Sequence, residues 1–134
     1  VPRQETFFEQ QTGDRKVEVL KTYDQSYARE AFESMDEISM QKLWDTLRPE
    51  AIYDAEGLPK LNDPNDVNGE AQAFLWDELV EQALEDPRAY PRATSFFIVN
   101  ESRGNINSSL YVSPDWPSAE AFAKARLADE ALSE

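Results

Sequence analysis

The chain has 134 residues, 40% of them hydrophobic and 30% charged, which is the size of one domain with enough apolar material for a core. It contains no cysteine and no histidine, which excludes disulfide scaffolds, thiolate metal sites, cysteine nucleophiles and Ser-His-Asp triads. A net charge of −14 disfavours direct contact with nucleic-acid phosphates and with anionic membranes, and favours basic proteins or cations.

Residues 5–21 alternate weakly around Thr12-Gly13-Asp14, which predicts a hairpin between Thr6-Phe7-Phe8 and Val17-Glu18-Val19-Leu20. Tyr23, Tyr27, Ala31 and Met35, with Ala28 and Phe32 beside them, form the i, i+4, i+8 stripe of a first helix. In that reading Tyr23 and Tyr27 bury their rings and lift their hydroxyls to the rim. A second helix presents Met40, Leu43, Trp44 and Leu47 on one side, is capped by Asp36 or Ser39, and stops at Pro49. The Asn-, Asp-, Gly- and Pro-rich stretch over 50–69 reads as a connection.

A third helix spans about 70 to 85 and ends at Asp86-Pro87, because the residue before a proline is pushed out of the α region. The period then changes to two. Residues 94–99 are apolar on both faces, as an interior strand requires. Ser102-Arg103-Gly104-Asn105 forms a turn, and the chain returns from Ile106 to Val112 with Ile106, Leu110 and Val112 on one face. A last helix begins near Ser118 and buries Ala121, Phe122, Ala125 and Leu132. Trp44, Trp76 and Trp116 belong in or near the core, Trp116 being the most exposed. The whole predicts one acidic α+β domain over 1–134, about four helices on a small antiparallel sheet containing a 94–112 hairpin.

The acidity is concentrated. Residues 49–87 hold eleven acids against Lys60 alone, a net of −10, while 1–48 carry −3 and 88–134 carry −1. On a helical wheel at about 100° per residue, Glu70, Asp77, Glu78, Glu81 and Glu85 fall within an arc of about 100°, and Phe74 falls inside it. Leu75, Leu79, Ala83, Trp76, Val80, Ala73 and Leu84 make the opposite, buried side. Asp77, Glu81 and Glu85 are successive i, i+4 like-charge pairs, each costing about 0.2–0.5 kcal/mol. Glu85 and Asp86 also sit at the helix end where cations are favoured.

The loop over 62–70 has the composition of a calcium loop but not its spacing. With Gly69 at the turn position, Pro64 stands first and Leu75 twelfth, where a bidentate Glu is required. A looser oxygen site from Asp63, Asn65, Asp66 and Glu70 is the alternative, a calcium-binding protein without an EF-hand. Glycine-rich phosphate loops are absent, no cofactor is implied, and the lack of His and Cys leans away from an enzyme. The expected function is therefore a non-enzymatic interaction protein. Its acidic helix face (Glu70, Phe74, Asp77, Glu78, Glu81, Glu85) meets a basic partner, as in an inhibitor, immunity protein, chaperone, assembly factor or nucleic-acid mimic. Residues 1–10 carry no hydrophobic signal core and no apolar run approaches about 18 residues, so the expected location is the cytoplasm.

Overall fold

Gly13 and Gly104 reverse the chain at the tips of two hairpins with φ of +63° and +57°, a left-handed conformation that an L side chain strains to adopt. The tips are tied together: the Gly104 N–H donates to the Asp14 carbonyl at 3.0 Å. The computed structural model describes residues 4–47, 70–85, 88 and 93–132. Along them run β1 (Gln4–Thr12), β2 (Arg15–Thr22), α1 (Gln25–Glu33), α2 (Glu37–Leu47), α3 (Glu70–Gln82), β3 (Phe96–Arg103), β4 (Ile106–Ser113) and α4 (Trp116–Leu132). The strands pair antiparallel in the order β1-β2-β3-β4, so the fold is α+β, with the expected hairpins as β1–β2 and β3–β4.

Register and pleat assign the two faces of the sheet. Val19 pairs with Val99, which pairs with Tyr111, and Val17 pairs with Glu101. Alternation puts these residues on one face, and α4 covers it through Trp116 near Phe97, Phe122 stacked on Tyr111, and Arg126 bonded to Glu101. The even-numbered residues of β3 face the other way. There Tyr27 of α1 accepts a hydrogen bond from Asn100 Nδ2 at 3.0 Å, and Trp76 of α3 stacks on Phe96 with centroids 5.8 Å apart. Covered on both sides, Phe96, Phe97, Ile98 and Val99 are all buried, the interior strand that their composition requires. At one end of the strand order β1 is polar and exposed apart from half-buried Phe8, and a bulge at Phe7 interrupts its pairing with β2.

Capping sets where the helices begin and hence which faces they bury. Asp24 accepts the Ser26 and Tyr27 N–H groups at 2.9 and 3.3 Å, so α1 starts after Tyr23. Tyr23 is consequently 44% exposed rather than a core residue, while Ala28, Ala31, Phe32 and Met35 are buried as predicted. Asp36, not Ser39, caps α2, accepting the Ser39 N–H at 2.7 Å; that bond, opposed by burial, holds its carboxyl below the usual range. Met40, Leu43, Trp44 and Leu47 line the buried side of α2. Pro49 and the 50–69 connection lie outside the described residues.

Three predicted details are corrected. Helix α3 ends at Gln82 rather than Glu85, because Leu84 bridges Thr94 and the backbone pairs Glu85 N–H with Ala93 O and Ser95 N–H with Ala83 O, both at 3.0 Å. Those bonds also delay β3 until Phe96. Val99 and Asn100 of β3 pair with Tyr111 and Ser109 of β4, which leaves Leu110 as a bulge and breaks the alternation there; Val112 is buried but Ile106, beside the turn, is 70% exposed. Helix α4 starts at Trp116, with Asp115 Oδ1 accepting the Ser118 N–H at 2.8 Å. Anchored by Trp116 between Phe7 and Phe97, it buries Ala119 and Ala123 instead of Ala121 and Ala125, which are exposed. Phe122 is half-buried, and the side chain of Leu132 lies outside the described residues. Of the tryptophans, Trp44 is buried and Trp76 and Trp116 are half-buried.

Candidate functional site

Helix α3 is fixed to the molecule by Leu75, Leu79 and, just past its end, Ala83, all buried. Trp76 adds a stack on Phe96 and a tilted contact with Phe32 at 5.4 Å. Gln82 closes the helix against α2, donating both to the Leu47 carbonyl and to Glu78 Oε1 at 2.9 Å. The inner side is thus the one that periodicity assigns, except that Ala73 is exposed. Asp77 and Glu81, one turn apart, are exposed on the outer side, with Glu78 half-buried beside them. None of the ion pairs among the described residues involves these three carboxylates.

The other predicted members of the acidic arc are placed differently. Phe74 is half-buried with its ring 6.4 Å from that of Trp44, so it helps seat α3 on α2. Glu85 stands beyond the helix end and pairs with Lys21 Nζ at 3.2 Å. The same ammonium lies 5.2 Å from the centre of the Tyr23 ring, 5.9 Å from Phe7 and 6.0 Å from Phe97, a cage of aromatic faces with one carboxylate. Hydrogen bonding to Tyr23 first, then to Glu85, outweighs burial and holds the Lys21 pKa above its ordinary value. The cation that the helix C-terminus calls for is therefore supplied by β2. Glu70 opens α3, and its side chain, like Asp86, lies outside the described residues.

A second charged group forms where β2, β3 and α4 meet. Glu101 is 5% exposed on a strand, and three guanidinium groups converge on it: Arg126 at 2.7 Å, Arg103 at 2.8 Å and Arg15 at 3.4 Å. Arg15 also donates to the Arg126 carbonyl at 3.1 Å, so this bond and the Arg126–Glu101 pair fasten α4 to the sheet twice. Burial pushes the Glu101 carboxyl up, but the bonds from Arg126 and Arg103 and the charges of Arg126 and Arg15 prevail and bring it to about 2. Sequence reasoning missed this group. Its only local signal is an acid two residues after an apolar strand run, with an arginine two further on.

Among the described residues no group of three or more acidic side chains is arranged to hold a metal ion, and no helix is long and apolar enough to cross a membrane. The candidate oxygen site at Asp63, Asn65, Asp66 lies outside the described residues, as does the side chain of Glu70. No protein-family model, curated protein or solved structure matches the chain.

Proposed function

We propose that this protein acts by binding rather than catalysis, presenting the outer side of α3 to a basic protein, with Asp77, Glu78 and Glu81 as the contact carboxylates. The observation that carries this reading is the contrast in how charges are used. Lys16, Lys21, Arg29 and Lys124 each pair with an acid, and Glu101 engages three arginines, while the three carboxylates of α3 engage no base among the described residues. A helix tied down by Leu75, Leu79 and Trp76 holds them in place before the partner arrives, which lowers the ordering cost of association. Phe74 and Glu85 support the helix and the β2 cage and are not contact residues in this reading. Inhibition, immunity, chaperoning, assembly or mimicry of a phosphate backbone in the cytoplasm are the roles that this reading allows.

Electrostatic association of this kind weakens with salt, because the screening length falls from about 10 Å at 0.1 M to about 3 Å at 1 M. The immobilised protein is expected to retain a basic protein from native lysate at low salt and to release it steeply below about 0.5 M. Retention that is indifferent to salt, or retention of acidic proteins, would overturn the proposal.

A further inference from the structure

Helix α4 leaves Ala121 and Ala125 exposed beside a cleft of about 330 Å³ between α2 and α4, a size suited to a small molecule. Its floor is the Tyr111–Phe122 pair, stacked at 4.4 Å and 6°. The two alanines leave one wall low and apolar. Lys42 stands on the opposite wall with its ammonium 5.2 Å from the centre of the Phe122 ring. In a chain so rich in acids, Lys42 has no carboxylate at ion-pair distance among the described residues, unlike Lys16, Lys21, Arg29 and Lys124.

We propose that this cleft binds a small aromatic carboxylate, its ring on the Tyr111–Phe122 stack and its carboxylate on Lys42. Of the two acids nearby, Asp36 caps α2, while Asp45 lines the cleft itself and accepts from Gln41 Nε2 at 3.1 Å, so the carboxylate of the ligand lies at the Lys42 end. The Thr46 hydroxyl donates to the Lys42 carbonyl at 2.8 Å, so the Tyr111 hydroxyl is the donor in their 3.4 Å contact. Neither hydroxyl proton is then left for a ligand, and the anion falls to Lys42. An adjoining hollow of about 200 Å³ shares Lys42, Phe122 and Ala125; its other charged residues are Asp36, which caps α2, and Arg126, which Glu101 holds at 2.7 Å, so Lys42 is the cation that serves both spaces.

The test uses naphthoate and its neutral counterpart naphthamide, titrated into the isotopically labelled full chain and followed by amide shifts. Naphthoate is expected to shift Thr46, Ser118, Ala121 and Ala125 with Kd below about 1 mM. Lys42→Met, at an exposed position, is expected to weaken naphthoate about tenfold and leave naphthamide unchanged. Ala125→Phe, which fills the cleft from an exposed helix position, is expected to weaken both. Shifts centred elsewhere, a Kd above about 1 mM, a Lys42→Met effect under about threefold, or equal loss of both probes in that variant would overturn the assignment.

Discussion

Replacing Glu101 by glutamine is expected to destabilise the fold by about 1.5–3 kcal/mol, the worth of hydrogen bonds to a charged group, since two of its three arginine partners are 40% and 48% exposed. Three guanidinium groups converge on this carboxylate, and Arg15 is itself nearly buried, so removing the anion leaves cationic groups facing one another between sheet and helix. Against the about 5–15 kcal/mol typical of whole domains, that is a large share. The midpoint of urea unfolding reads it directly. The same site gives a pH signature. Its folded carboxyl titrates near 2 against an ordinary value of 4.5, so its contribution is complete above about 4.5 and is lost as pH falls towards 2. The Glu101→Gln variant is expected to show a flatter loss of stability across that window. Equal slopes in variant and parent would mean that Glu101 is not the titrating support.

Leu79→Ala is expected to cost about 3 kcal/mol, since Leu79 is completely buried beneath α3 and truncation leaves a cavity as well as removing apolar contact. In a chain of this length that lowers the melting temperature by about 10 °C. Leu79 touches the proposed function only through the helix that carries it. The variant is expected to stay folded at ambient temperature with α3 held less firmly, so retention of the basic partner should fall although every carboxylate is present. Substituting exposed Asp77 instead is expected to change stability by no more than about 0.5 kcal/mol. The two positions, two residues apart, therefore separate what holds the helix from what the helix presents.

Features written in local sequence were legible. The two glycine turns, the doubly apolar run at 96–99 and the buried stripes of α1 and α2 each follow from spacing within a few residues, and all appear in the fold, Tyr23 alone falling outside its stripe. The row of Asp77, Glu78 and Glu81 was legible for the same reason: i, i+1 and i+4 relations on a helix need no tertiary information. What was not legible depends on distant partners. Glu101 joins residues from positions 15, 103 and 126, and Glu85 is claimed by Lys21 from β2, so neither environment can be read from its neighbours. The phase of α4 was missed by a short shift in capping. Ser118 looked like the start, but Asp115 caps the helix and Trp116 anchors it, which turns Ala121 and Ala125 outward.

The structure also changes how the acidic surface should be probed. Reversing Glu85 would break the Lys21 cage and confuse stability with binding, so it does not belong in a test of the surface. The direct measurement is retention of the basic partner by a variant carrying Asp77→Lys, Glu78→Lys and Glu81→Lys, with Lys21 and Glu85 untouched and folding verified by thermal unfolding. These changes exchange the like-charge pair Asp77–Glu81 for one of opposite sign and similar cost, about 0.2–0.5 kcal/mol, and lose only the hydrogen bond from Gln82 to Glu78, so no large loss of stability is expected. Loss of retention by this folded variant, at a salt concentration where the parent retains its partner, is the predicted result. Undiminished retention would contradict the assignment of α3 as the binding surface.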